Sequence, residues 1–568
     1  MTVNHLGARG LVAITAAGLL AAGLAACGSS TSGSTGSSSK LSNTITMESS
    51  PEDSITQDFN PFVSTAAPQG MGATGLVYEP LYQFDLASPT HQYPWLATAY
   101  SWSDSGKSIT FTIRQGVKWN NGSAFTPADV VFTYNELKKY PAINLAGLPI
   151  SSVSSSGNDV TVNFTSPQYT NLENIAGVAI LPQAIWSKVG NPATYVDKTP
   201  VGTGPYMLKT FTPQGFTMTK NPDYWQLSKV KIQNVYFPDY TSNTGALTAL
   251  FGGTIEWTGN YIPGLQKDFV DKDPAYHHYY EGAGGDESFE PNLTTWPTNQ
   301  LAVRKAISLA VNRTLLGTEG ESGLEYPITN AGGLTLPTFS AWAGPVASMT
   351  ISPSANVAAA DAVLTKAGYK KDSSGYYALN GKEVSLTIIS PSSYTDMAEV
   401  DSIAAQELKA AGINATFQGL TVDAWNADVA DGDFQMTEHW SNGGITPYNM
   451  YDGWLNSALG TGAAAKAATG DYERLDDPAL DADLATLAGA NTVAQQATDL
   501  VPLEKYVADN LPVIPLETAA EWFEYNSQYF VGWPTTQDPY DSGQPSGTNN
   551  GPGTGSDEVV LLHLSPRK

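Results

Sequence analysis

Cys27 is the single cysteine in 568 residues, so its thiol is the only strong soft nucleophile in the chain. It stands in the setting Leu24-Ala25-Ala26-Cys27-Gly28, at the end of an apolar run that begins at Leu11. With no second cysteine there is neither an internal disulfide nor a thiolate metal site, and the chemistry that its position fits is acylation. The six histidines, His5, His91, His277, His278, His439 and His563, show no metal-ligand spacing, and His277 and His278 point to opposite faces of an extended segment. No nucleophile elbow and no phosphate-binding loop occurs, and Gly202-Thr203-Gly204-Pro205 lacks the third glycine of a dinucleotide fingerprint. Ser37-Ser38-Ser39-Lys40 matches the S-x-x-K pattern of acyl-serine enzymes, but inside a Gly/Ser tract that supplies no rigid pocket. The 54 acidic residues can be paired in many ways, and no pair stands out as a glycosidase acid and base. Neither catalysis, metal nor cofactor is expected.

Arg9 provides a weakly basic start and Leu11–Ala26 an apolar stretch bounded by small residues, the layout of a cleaved export signal over 1–26. The run ending at Cys27 resembles the bacterial lipobox, which implies a diacylated N-terminal cysteine anchored to the outer face of the cytoplasmic membrane. Residues 27–40 continue as a Gly/Ser/Thr tether that buries nothing. No later run is long enough to span a bilayer, so the rest of the chain is expected to be soluble.

That remainder is rich enough in apolar residues for a large core and too long for one compact domain. With 28 basic against 54 acidic residues the net charge is −26, which repels nucleic acid and anionic lipid surfaces. Alternation predicts half-buried strands over Ser108–Arg114 and Val160–Phe164. Between them, Thr126-Pro127 opens a helix carrying Val130, Val131 and Tyr134. Helical spacing of Val303, Ala306, Ile307, Ala310 and Val311 predicts a helix over Leu301–Leu316, stopping at Gly317. A strand over Val384–Ile389, a helix over Ala398–Ala411 closed by Gly412, and a strand over Ile413–Phe417 predict an α/β crossover unit. Gly202-Thr203-Gly204-Pro205-Tyr206 reads as a turn that needs glycine dihedrals.

An ordered set of short segments is similar to the family 5, oligopeptide/dipeptide-type, extracellular solute-binding proteins of ABC importers. The set runs Asn60-Pro61-Phe62, Tyr78-Glu79-Pro80-Leu81-Tyr82, Trp95-Leu96-Ala97, Phe111 to Trp119, Gly202 to Tyr206, Asn221-Pro222-Asp223-Tyr224-Trp225, Val303 to Ile307, and Ala367-Gly368-Tyr369. The resemblance implies an α/β, two-lobed periplasmic-binding-protein-like fold (type II, cluster C-like) with an extra α/β subdomain on lobe one. Carried onto this chain, lobe one takes 41–290 and 512–568, the extra subdomain about 85–190, and lobe two 291–511. It also implies a monomer whose lobes close on a ligand and present it to the permease subunits.

Peptide-binding members carry an acid soon after a lobe-two tryptophan, whereas Trp440-Ser441-Asn442-Gly443-Gly444-Ile445-Thr446-Pro447-Tyr448 has none, which speaks against a buried peptide ammonium. This stretch and Gly532-Trp533-Pro534-Thr535 resemble the oligosaccharide-binding branch, which takes cello- or manno-oligosaccharides. A pyranose packs its C–H face on a flat ring and offers hydroxyls to neutral two-way hydrogen-bonders. Trp440, Trp533 and Trp257 are therefore expected as stacking platforms, Asn442 and Asn260 as hydroxyl readers, and Tyr448 as a flanking ring. An oligopeptide, nickel-chelate or opine ligand is the alternative within the family, and a surface glycoside hydrolase or peptidase, or a signalling receptor, the alternative outside it.

Overall fold

The structure is a computed structural model, which describes residues 43–49, 55–63, 66–85, 91–282, 284–441, 444–519, 521–545 and 555–568. Cys27, the tether and Asn442 lie outside them.

Two large mixed sheets organise the chain. In the seven-stranded sheet, Thr44–Glu48 lies at the centre, parallel both to Asn234–Pro238 and to Trp257–Thr258. Antiparallel strands extend it on either side, Gly215–Lys220 and Tyr206–Thr212 on one and Glu521–Asn526 and His277–Gly282 on the other. The five-stranded sheet runs in the order Asn414–Leu420, Ser385–Pro391, Met436–Ser441, Asp286–Pro291, Ile514–Glu517. The chain passes between the sheets twice, from Gly282 to Asp286 and from Glu517 to Glu521. These crossings lie a few residues from the expected lobe edges at 290/291 and 511/512.

The expected crossover unit is present. Ser385–Pro391 and Asn414–Leu420 pair in parallel, and the helix Thr395–Ala410 joins them with Val400, Ala404 and Leu408 buried. Gly412 follows at φ +90°, a left-handed position that glycine takes without strain. The helix begins three residues earlier than its apolar spacing suggests.

A four-stranded antiparallel sheet, in the order Ala97–Ser103, Ser108–Ile113, Asp159–Phe164, Ile150–Ser156, falls inside the segment expected as an extra subdomain. The helix Pro127–Lys139 packs on it and starts with a capping box: the Thr126 amide donates to Asp129 Oδ2 at 2.8 Å. Ile109, Phe111, Val130 and Val160 share one core with Ile45 and Met47, so this sheet packs with the seven-stranded one. A second core, around Phe289, Ile307, Ile388, Leu408 and Ile514, belongs to the five-stranded sheet.

Two local expectations are corrected. The helix from Leu301 stops at Ala310 rather than near Gly317, because Val311 is extended (φ −80°, ψ 139°) and the Asn312 side chain accepts from the Leu315 amide to start a new turn. The glycines of Gly202-Thr203-Gly204 are required for close backbone approach rather than for left-handed dihedrals: a Cβ would lie 1.8 Å from Val77 O at Gly202 and 2.3 Å from Leu76 O at Gly204.

Among the described residues, no helix is long and apolar enough to cross a membrane, and no group of three or more His, Cys, Asp or Glu side chains is arranged to hold a metal ion.

Candidate functional site

In α/β sheets ligands gather at the carboxyl ends of strands, and two such ends carry the expected residues. The first is in the seven-stranded sheet. Glu48 ends the central strand, and its Oε2 accepts from Thr258 Oγ1 at 2.9 Å and from Asn260 Nδ2. Burial pushes the Glu48 carboxyl up to about 7, against the opposing pull of those two donors. Asn260 is thus a fixed amide whose orientation Glu48 sets, and Glu48 was missed because nothing in the sequence ties it to a residue 212 positions away.

Trp257, beside this end, is fully buried, with Nε1 donating to Gly543 O at 2.9 Å and its ring edge-on to Trp533 at 5.6 Å. Trp533 is also buried, donates to Phe530 O at 3.1 Å and stacks on Tyr525 at 4.7 Å. The structure therefore brings these two expected platforms into one aromatic cluster with Phe523.

The second end is in the five-stranded sheet. Trp440 is half-buried at the end of Met436–Ser441, and its ring partners are His439 at 4.9 Å, Trp425 at 5.8 Å and Tyr394 at 6.2 Å. Trp425 is pinned beneath it by Nε1 donating to Thr437 Oγ1 at 2.8 Å. Burial lowers the His439 imidazole to about 4, so this stack is uncharged near neutrality. Tyr448 opens the next helix, half-buried, and its hydroxyl donates to Asp452 Oδ1 at 3.1 Å.

Strand pairing gathers a group of carboxyls beside the strand that carries Trp440, most of them distant from it in sequence. Glu287 pairs with Trp440 on one side and with Glu517 on the other, and Glu438 is two residues before Trp440 on the same strand. Burial, and then repulsion from Asp396, Asp286 and Asp401, pushes Glu287 up to about 8. Glu438, Glu321 and Glu517 are also raised, first by burial and then by their acidic neighbours, and burial carries Asp286 and Asp401 to about 7. Asp286 accepts from Ser288 Oγ at 2.5 Å and from Ser441 Oγ. Burial and mutual repulsion therefore favour the neutral form of each of these groups over the charged one.

The strand pairing also corrects the argument against an ammonium partner. Trp440 lacks an acid downstream in sequence, but the fold supplies one opposite it.

Residues 91–461 match the bacterial extracellular solute-binding proteins, family 5 middle. The chain belongs to this family. It is a non-enzymatic component of an ABC importer, an exported protein that binds a small solute. It is similar to the probable peptide-binding protein YejA of Agrobacterium fabrum, 24% identical over 531 residues, 82% of this chain and 85% of that one. In fold it is similar to a periplasmic oligopeptide-binding protein of Thermotoga maritima with mannohexaose bound, at a TM-score of 0.80 and 22% identity, covering 92% of this chain and 99% of the other. The oligopeptide-binding protein AppA of Bacillus subtilis with a nonapeptide bound matches at a TM-score of 0.73 and 17% identity, covering 92% and 99%. The mixed α/β periplasmic-binding-protein fold that the family resemblance implies is the fold observed.

Proposed function

We propose that the protein captures an oligosaccharide of the cello or manno type between the halves built on its two large sheets and delivers it to a membrane permease. The observation that carries this reading is the half-exposed Trp440 ring, set in an uncharged aromatic stack on a strand whose register partner, Glu287, is pushed toward its neutral form by burial. A sugar's C–H face matches the ring, and its hydroxyls match neutral carboxyls and amides. The mannohexaose carried by the Thermotoga maritima protein, whose fold this chain follows, supports the same class. In this reading Trp440 and Tyr448 belong to one wall and Asn260 with Glu48 to the other, whereas Trp257 and Trp533, buried in one aromatic cluster, support that second wall from behind rather than stack on the ligand. The lobes hinge at the crossings 282–286 and 517–521, and Cys27 carries the lipid that anchors the protein outside the membrane.

A peptide is the second reading, favoured by Glu287 standing opposite Trp440, where its ionised form meets an ammonium. Titration of intrinsic tryptophan fluorescence with mannohexaose, cellohexaose and a tripeptide mixture separates the two. A saturable response to one sugar series alone supports the proposal, and a response to peptides alone overturns it.

A further inference from the structure

Ile445 is the one member of the large core of the seven-stranded sheet that comes from between residues 281 and 522, among the described residues. Every other residue of that core lies on the first half or its C-terminal return, whereas Ile445 follows the strand that carries Trp440. It is buried at 6% exposure in the same core as Leu172 and Ile175 of the short helix Leu172–Ala176.

The backbone around Ile445 is tied to the same place. The Ile445 amide donates to Glu173 Oε2 at 2.8 Å, and Asn449 Nδ2 reaches the same oxygen at 3.5 Å. Asn174 Nδ2 donates to Asn449 Oδ1 at 3.1 Å, and Thr446 Oγ1 to Thr170 O at 3.3 Å. Gly444 makes the approach possible: it sits at φ +61°, and a Cβ there would lie 2.5 Å from Asn449 Nδ2 and 2.7 Å from Glu173 Oε2. Glu173 is itself 8% exposed, so the carboxylate faces the Ile445 amide rather than water.

We propose that Glu173, Asn174 and Ile445 form a latch between the two halves, which holds the segment after Trp440 against the four-stranded subdomain and sets how far the closed arrangement is favoured. Every group in the latch is a protein atom, so it biases closure whatever the ligand's chemistry, and it rests on the two-half architecture rather than on the sugar reading. Glu173 is a positioning residue: it holds the Ile445 amide, and through it the start of the helix Tyr448–Leu455. A ligand that binds the closed arrangement gains whatever share of closure the latch already supplies.

The test is a distance measurement in the full chain carrying Cys27→Ser, with spin labels at the exposed positions Val196→Cys and Val493→Cys, one on each half. The parent is expected to give a dominant short distance without added ligand. Ile445→Ser and Glu173→Ala are expected to lose that peak in favour of longer distances, while thermal melts remain cooperative. Asn449→Ala, at a half-buried site, is the milder variant should either of those fail to fold, and it is expected to move the distribution in the same direction. With mannohexaose as the probe, the latch variants are expected to bind more weakly than the parent, Glu173→Ala by about tenfold for the hydrogen bonds it gives up. Distance distributions that superimpose on the parent's in folded variants overturn the latch. Failure of mannohexaose to bind the parent overturns the sugar reading and leaves the distance result to decide the latch alone.

Discussion

Glu287 and Trp440 are register partners across the antiparallel pair Asp286–Pro291 and Met436–Ser441, while the Trp440 ring lies over His439 and Trp425. An indole and a carboxyl so placed serve either a sugar or an ammonium, and the protonation of Glu287 decides which.

Trp440→Ala is expected to abolish the fluorescence response and weaken oligosaccharide binding at least tenfold, on the order of 1.4 kcal/mol or more for a lost stacking face. Glu287→Gln copies the protonated carboxyl. At pH 6, below the value of about 8 to which burial and acidic neighbours push Glu287, this variant is expected to bind sugar within about threefold of the parent. A tenfold or greater loss in calorimetric titration would mean that the charge is used, which favours the peptide reading.

Stability is expected to fall as pH rises. Buried carboxyls at Glu48, Asp286, Glu287 and Asp401 hold their protons up to about 7 or 8, whereas unfolded carboxyls release theirs near 4. Between those limits the native state binds more protons than the unfolded one, so this stabilisation is complete below about pH 4 and is lost progressively toward pH 8. His439, lowered to about 4 by burial, and His278, also lowered by burial, act the other way as pH falls below 6.5, but they are two groups against several. Thermal melts from pH 5 to 8.5 should show a falling Tm, with Glu287→Gln and Asp401→Asn flattening the slope. A Tm that rises across this range would contradict the assignment.

Glu48 sets the orientation of Asn260. Glu48→Gln keeps an acceptor for the Asn260 amide and is expected to retain near-parental affinity and Tm, whereas Glu48→Ala frees the amide and lowers both, by about 1–3 kcal/mol in stability. Equal behaviour of the two variants in melts and titrations would remove Glu48 from the site.

Much of the fold was legible because it is locally encoded. The crossover Ser385–Leu420 announces itself by two apolar strands, a helical stripe and Gly412, and Thr126-Pro127 with Asp129 writes the start of its helix in four residues. Where one residue's conformation overrides the pattern, as at Val311, the reading fails. The site was less legible because its partners meet only through long-range pairing. Trp440 stands out as a tryptophan near glycines, but Glu287 becomes its neighbour only when two distant strands pair, and Glu173 meets Ile445 across 272 positions. Trp257 and Trp533 were each visible, while their mutual packing was not.

Gly202→Ala is expected to destabilise the protein by at least about 3 kcal/mol or to prevent folding, since a backbone carbonyl 1.8 Å from the added carbon cannot yield as a side chain does. Denaturant unfolding measures this. A loss under about 1 kcal/mol would show that the Leu76–Val77 backbone moves more freely than its burial implies.

The most direct test of the central claim is isothermal titration of the full chain with mannohexaose and cellohexaose, set beside a mixed tripeptide series at pH 6. Saturable, one-to-one binding of an oligosaccharide, lost in Trp440→Ala, is expected, with no heat from peptides. Saturable peptide binding with no sugar response, abolished in Glu287→Gln, would contradict that claim.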